Sequence, residues 1–155
     1  MKKIFLTFLI LTTTSFYSQT SLDFDQYVNF IDNKISFEAN LLLSKGWQFQ
    51  GIDKENKSIS LKRTHKEIIK EICTFYGYGD NNRISSIWVM VTSDSIYRRY
   101  LDRLKYLGFK FKKEYNEGFK LVKIYENKLK GLHLRITIEI ENDKLTIFNF
   151  LVRKL

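Results

Sequence analysis

The sequence contains no proline, one cysteine and two histidines in 155 residues. A single thiol, Cys73, cannot close an intramolecular disulfide, and one cysteine with two scattered histidines does not make a zinc site. Because proline is absent and no stretch is rich in serine and glycine, nothing marks a linker between domains. We therefore expect one compact unit, stabilised by an ordinary hydrophobic core and without a metal ion or another cofactor.

Catalytic motifs are also missing. Neither His65 nor His133 lies in an HExxH motif, and no GxSxG turn occurs. Acidic residues near two predicted turns could form the carboxylate pair of a glycosidase, although acids at such positions are ordinarily turn formers. These residues are Asp80, Glu139, Glu141 and Asp143. The sequence favours a protein without enzymatic activity. A hydrolase of envelope polymers is an alternative that would require Glu139 or Glu141 within hydrogen-bond reach of His133 or another acid.

The first residues have the layout of a secretory signal peptide. Two lysines precede an apolar run at residues 4–11, and small and polar residues follow it. The run is much shorter than the ~20 residues of a membrane-spanning helix. We expect residues 1–19 to be a cleaved signal peptide and residues 20–155 to form a single compact domain with no transmembrane segment.

The leader closes with the pair Ser18-Gln19. In this it resembles the leaders of small exported proteins from the Bacteroidota, a resemblance that implies export and says nothing about activity. The cysteine that carries the lipid in bacterial lipoproteins directly follows the leader, whereas Cys73 lies deep in the mature chain, inside the apolar stretch EICTFYGYG. We therefore expect a protein of the periplasm or the medium that is not a lipoprotein, with Cys73 as a buried thiol.

Three helices are predicted from apolar spacing and end signals. The first is capped by Ser21 or Asp23, and the second covers residues 35–44 and stops at Gly46. The third begins after Ser93 or Ser95 and stops at Gly108. Four strands follow the second helix, and four more follow the third. Residues 64–70 are ambiguous, because Thr64 and Glu67 match a capping box, but we favour a strand there.

The two runs of helix and strands keep a nearly constant offset. Gly46 and Gly108 are 62 positions apart, and the asparagines at the predicted hairpin turns, Asn81 and Asn142, are 61 apart. The sequence thus predicts an α+β fold of two tandem α-β-β-β-β units with antiparallel sheets and an additional N-terminal helix. The units comprise about residues 35–92 and 93–155.

Two-residue turns at Asn81-Asn82 and Asn142-Asp143 predict which side chains share a face of each sheet. One face of the second unit is aliphatic and must meet a helix. The opposite face mixes aromatic and charged residues, namely His133, Arg135, Thr137, Glu139, Thr146, Phe148, Phe150 and Val152. Its counterpart in the first unit holds Ile72, Thr74, Tyr76, Tyr78, Ile87 and Val89. Such a face could anchor a protein or a polysaccharide; alternatively, the N-terminal helix or the other unit covers it.

Positive charge is concentrated in the second half of the chain. Residues 98–155 hold 15 basic and 7 acidic residues, which gives +8, whereas residues 20–97 hold 9 and 10, which gives −1. Seven lysines contribute to this excess, at positions 110, 112, 113, 120, 123, 128 and 130. Lysines on an edge strand discourage aggregation; the alternative is that they attract an acidic protein or an anionic envelope glycan. Nucleic acid is not an expected partner, because no nucleic-acid motif is present.

Together these features predict an exported, non-enzymatic binding or interaction protein of the cell envelope. The candidate surface residues are Lys110, Lys112, Lys123, Arg135, Phe148 and Phe150. A self-associating structural component is an alternative. The tandem arrangement resembles that of the secreted β-lactamase inhibitory proteins, in which duplicated units of helix and sheet present a concave sheet to an enzyme. The resemblance concerns architecture alone and transfers no residue role.

Overall fold

The computed structural model describes residues 22–65, 68–78, 82–142 and 145–155. Its three helices and eight strands are α1 Phe24–Phe30, α2 Ile35–Ser44, β1 Gln48–Asp53, β2 Ser58–His65, β3 Ile68–Tyr78, β4 Arg83–Val91, α3 Asp94–Tyr106, β5 Lys110–Glu117, β6 Lys120–Asn127, β7 Leu132–Asn142 and β8 Leu145–Lys154. All eight strands form one antiparallel sheet in the order β1-β2-β3-β4-β8-β7-β6-β5. Two four-stranded meanders therefore meet where β4 pairs with β8, and the predicted α+β class is confirmed.

Helices α2 and α3 end in the same way. Gly46 and Gly108 adopt positive φ angles of 84° and 81°, which glycine accepts without a steric penalty. The next residue, Trp47 or Phe109, donates its backbone N–H to the carbonyl five residues earlier, at 3.1 and 2.9 Å. Both aromatic side chains are buried. The predicted role of the two glycines as helix stops is confirmed.

The three helices pack on the same face of the sheet. From α1, the ring of Phe24 lies 5.6 Å from that of Phe150 on β8. From α3, Tyr97 stacks on Phe148 with 4.0 Å between ring centroids. Helix α2 packs over β2 and β3, and the buried apolar side chains of all three helices belong to one cluster with those of the sheet. Among the described residues, no helix is both long and apolar enough to cross a membrane.

A buried carboxylate lies within this core. Glu71 on β3 is fully buried and accepts hydrogen bonds from the hydroxyls of Tyr27 at 2.5 Å and Tyr100 at 2.6 Å. Arg63 on β2 donates from its Nε at 3.1 Å. Burial, followed by the charge of Glu71, raises the pKa of Tyr27 well above its ordinary value, so this phenol remains a donor. The cluster joins α1, α3, β2 and β3.

The predicted strand faces are wrong because each long hairpin contains a β-bulge. In β7 the register shifts between Ile140 and Asn142, and in the other hairpin it shifts between Tyr76 and Gly77. Since side chains alternate with a period of two, a one-residue shift moves the whole strand to the opposite face. The predicted two-residue turns are also wrong, because Asn142 ends β7 opposite Leu145, and because Tyr78 pairs with Arg83 and so leaves four residues between β3 and β4. Positions 81 and 143 lie outside the described residues.

The shift changes the positions of the predicted aromatic anchors. Phe148 and Phe150 pair with Ile138 and Ile136 on the helix-covered face and are buried. They do not share a face with Arg135, as the sequence had predicted. In the first meander the residues that share a face with Ile72 and Thr74 are Met90 and Trp88, instead of Ile87 and Val89.

Two further expectations are tested directly. Strand β2 continues to His65 and β3 starts at Ile68, so the predicted strand at residues 64–70 is confirmed for all of them except 66 and 67, which lie outside the described residues. Cys73 is a free, fully buried thiol, as expected.

We expect Glu71→Gln to lower the free energy of unfolding by about 3 kcal/mol, because it leaves Arg63 buried without its carboxylate. Urea unfolding followed by far-UV circular dichroism measures this change. The control is Glu139→Gln, which breaks a partly exposed ion pair and should cost less than about 1 kcal/mol. Equal losses in the two variants would contradict a central role of Glu71.

Candidate functional site

The face of the sheet opposite the helices is the candidate site, and we call it the open face. None of the three helices in the described part of the chain lies on it. The strand pairing places one residue from each strand in a row across its middle. In sheet order this row is Gly51, Ser60, Thr74, Trp88, Leu151, Arg135, Ile124 and Lys113. Its chemistry changes from small and hydroxylated, through apolar, to basic.

The structure separates the six residues singled out from the sequence. Lys110, Lys112 and Arg135 are on the open face; Lys110 lies opposite Glu126, and Lys112 contacts the same carboxylate at 3.3 Å. Lys123 is on the helix side, where its Nζ lies 3.2 Å from the carboxylate of Glu114. The two phenylalanines, Phe148 and Phe150, lie under the helices and are not surface anchors.

Trp88 lies between two depressions in the open face. One has a volume of about 290 Å³ and is lined by charged and amide side chains of β5, β6, β7 and β8. The other has a volume of about 390 Å³ and is lined by Gln50, Asp53, Ser60, Ile72 and Thr74, among others. Asp53 is the single charged residue of the second depression. We call the first the charged depression and the second the hydroxyl depression.

Ion pairs hold the side chains of the charged depression in place. Lys120 lies 3.0 Å from the carboxylate of Glu139, which also accepts a hydrogen bond from Asn149 at 3.1 Å. Arg135 donates to Glu117 through Nη2 and to Thr137 through Nε at 3.4 Å. These contacts fix the orientation of both cations before any ligand arrives, which lowers the entropy cost of binding.

The half of the open face formed by β5–β8 carries an excess of positive charge. Among the described side chains, six cations face three carboxylates, a surplus of three. The cations are Lys110, Lys112, Lys113, Lys120, Arg135 and Arg153, and the carboxylates are Glu117, Glu126 and Glu139. Burial, and then the charge of Arg153, lowers the pKa of His133, which is therefore neutral at pH 7. The surplus favours an anionic partner.

The structure separates Glu139 from His133 but places Glu139 and another acid, Glu117, in the lining of the charged depression. Glu139 and His133 are six residues apart on β7, which places them about 20 Å apart along the strand. The side chain of Glu141 lies outside the described residues. Within the described residues, no group of three or more His, Cys, Asp or Glu side chains could hold a metal ion.

Two buried ionisable groups lie away from the open face. Burial, with a smaller effect of the Glu71 charge, raises the pKa of Cys73 well above its ordinary value, which keeps the thiol protonated and poorly nucleophilic. Glu38 on α2 is also buried, and its Oε1 accepts a hydrogen bond from Asn33 at 2.7 Å. Its Oε2 has no partner among the described residues. Burial raises the pKa of Glu38.

Trp88 is the residue of the open face that sequence reasoning missed. The predicted register gave its position to Ile87 and Val89, both of which are buried in the core. The alternation of ISSIWVMV from residue 84 to 91 is compatible with either assignment, because apolar residues occur on both faces of β4. Only the hydroxyl residues Ser60 and Thr74, which hydrogen-bond to each other at 2.8 Å, indicate a polar neighbourhood beside it.

Comparison with known proteins shows little similarity. No protein-family model matches the sequence, and no curated protein matches it. Among solved structures, the chain is similar to a DUF4309 family protein (YjgB) from Bacillus subtilis, with 12% sequence identity and a TM-score of 0.26. The match covers 70% of this chain and 64% of the Bacillus chain, which is less than two thirds of that protein. At this TM-score the likeness carries no argument about function.

The two tryptophans differ in environment, and the buried one, Trp47, can be replaced. The indole of Trp47 is buried, its Nε1 has no hydrogen-bond partner among the described residues, and phenylalanine occupies the matching position 109. We expect Trp47→Phe to change the free energy of unfolding by less than about 1 kcal/mol, because the lost volume is offset by removal of an unpaired N–H. Chemical unfolding measures this change in the free energy of unfolding. Trp47→Ala is the control and should cost about 3–5 kcal/mol; similar losses in both variants would contradict the prediction.

Burial of Glu38 predicts a pH-dependent gain for its amide variant. Because the pKa of Glu38 is raised in the folded state, the charged form is penalised above that pKa. Glu38→Gln should therefore raise the free energy of unfolding by about 1 kcal/mol at neutral pH. The difference should shrink as the pH falls and vanish below the ordinary value of 4.5, where Glu38 is neutral in both states. Urea unfolding of both proteins at several pH values in this range tests the predicted difference. The control is Glu55→Gln at an exposed position, which should not raise the free energy of unfolding at neutral pH.

Proposed function

We propose that this chain is an exported, non-enzymatic binding protein of the cell envelope, and that its open face binds an anionic partner. One observation carries the proposal: in the described part of the chain, the half of the sheet face that no helix covers combines a surplus of three positive charges with the charged depression next to Trp88. The apolar floor of Trp88 and Leu151 supplies contact area, and the basic residues supply attraction at a distance.

The export part of the proposal rests on the leader. Its two lysines, short apolar run and polar end follow the layout of a secretory signal peptide. The mature chain keeps a formal charge of +7 once these two lysines are removed from the total of +9. In the envelope, such a chain would meet acidic proteins and the phosphate or uronate groups of glycans, which are the anionic partners that the sequence suggests.

We further propose that residues 35–92 and 93–155 are two copies of one unit. Both contain a helix and a four-stranded antiparallel meander, and the meanders meet through their last strands, β4 and β8. The first strand of each contains a β-bulge directly after a phenylalanine, Phe49 or Phe111, and these two residues are again 62 positions apart. Shared irregularities at a shared offset support duplication more strongly than shared helices and strands do.

Self-association is the second candidate, and the edge strand β5 favours it. All eight of its residues are exposed. The strand reads KFKKEYNE, with lysines in its first half and acids in its second. An antiparallel second copy could place Lys113 of each chain opposite Glu117 of the other, and since both residues are on the open face these would be favourable charge pairs. Sedimentation velocity of the mature chain distinguishes the candidates, because a concentration-dependent dimer would support this one.

The binding function is tested with isolated envelope material from the cells that produce the protein. We expect the mature chain to be retained, and the variant Lys110→Gln/Lys112→Gln/Lys113→Gln to be retained at least about tenfold less well at low salt, because it loses three cations of the open face. Retention is measured as the fraction bound over a series of envelope concentrations.

A second triple variant controls for net charge. Lys34→Gln/Lys45→Gln/Lys105→Gln removes the same three charges from helix α3 and the ends of α2, on the opposite side of the sheet. Its retention should equal that of the unaltered chain. If both triple variants lose retention equally, the attraction is due to net charge and not to the open face. If the unaltered chain is not retained at all, the proposed binding function is wrong.

A further inference from the structure

We propose that the partner of the open face is a linear anionic glycan that lies across the strands, with a sugar ring on Trp88. This inference rests on the proposed function and names the class of ligand. It requires one ligand to use both depressions, with uncharged sugars in the hydroxyl depression and a uronate carboxylate in the charged depression.

The two depressions are arranged for a ligand that crosses the sheet. Both include Trp88, so they meet at its indole. Thr74 on one side and Arg135 on the other belong to the same row and are separated by three strand spacings, or roughly 14 Å. Lys113, on the edge strand β5, is the last residue of the row. An extended chain of sugars could follow this row without bending around an obstacle.

The position in the sheet favours a glycan over a peptide. An extended peptide gains most of its affinity from backbone hydrogen bonds to an unpaired strand edge. Trp88 lies on β4, whose backbone is already paired with β3 and β8 on its two sides. A ligand at this position can therefore use only side chains. The C–H groups on the flat face of a sugar ring suit the electron-rich face of an indole.

The charge distribution also favours a glycan that is only partly acidic. The hydroxyl depression offers Gln50 and Ser60 for hydrogen bonds, and the carboxylate of Asp53 repels anions there. An acidic peptide with charge along its whole length would meet that repulsion. In the charged depression, Arg135 uses Nη2 and Nε for its own contacts, which leaves Nη1 to face a ligand carboxylate.

The test uses the variant Trp47→Phe, in which Trp88 is the only tryptophan. We expect a short linear oligogalacturonate that is partly methyl-esterified, and so has both neutral and acidic rings, to change the Trp88 fluorescence in a saturable way. Calorimetry should give at least tenfold weaker binding for Trp88→Ala and partial recovery for Trp88→Phe, because phenylalanine keeps an aromatic face. Met90→Ala is the matched control, since it truncates a neighbouring side chain of the open face outside both depressions.

Two further probes separate this inference from the proposed function. The fully methyl-esterified oligogalacturonate has the same sugar rings without charge and should bind at least tenfold more weakly than the partly esterified one. Poly-L-glutamate carries charge without rings and should bind more weakly than the oligogalacturonate and show no dependence on Trp88. If poly-L-glutamate binds as tightly, or if Trp88→Ala retains full affinity, the glycan is the wrong ligand class, while envelope retention still supports the binding function. Absence of binding of the partly esterified oligogalacturonate overturns the inference as well.

Discussion

The fold depends on a buried carboxylate that has to be satisfied from three sides. Glu71 projects from β3 into the core, where an unpaired charge would cost several kcal/mol. The hydroxyls of Tyr27 and Tyr100 and the guanidinium of Arg63 supply its hydrogen bonds, and they arrive from α1, α3 and β2. Both helices must therefore lie on the face of the sheet to which Glu71 points, and among the described residues the other face has no helix.

The open face follows from that one-sided arrangement. An antiparallel sheet can bury one face and expose the other to water, and here the exposed face keeps apolar residues, including Trp88 and Leu151, in the same row as Arg135. The surplus of cations lies in the half formed by β5–β8, so the net charge of the open face changes from one end of the sheet to the other. A ligand with one neutral and one acidic part would match this gradient better than a uniformly acidic one.

Much of the secondary structure could be predicted from local signals. The bounds of α2, the stops at Gly46 and Gly108, the eight strands and the burial of Cys73 follow from helix caps, alternation and residue type. The strand faces could not be predicted, because bulges next to the hairpin turns change the register and the sequence carries no clear mark of them. That error put Phe148 and Phe150 in the candidate site and left Trp88 out.

The amino-acid sequence by itself determined where the helices stop, that the second half of the chain is basic, and that neither a disulfide nor a familiar catalytic motif is present. Only the tertiary structure decided which basic residues share a face of the sheet. Lys112 and Arg135 lie on the open face, while Lys123 lies on the face that the helices cover. The physical reason is the two-residue period of a strand: a single inserted residue exchanges the two faces, and long-range packing around Glu71 selects which of them is covered.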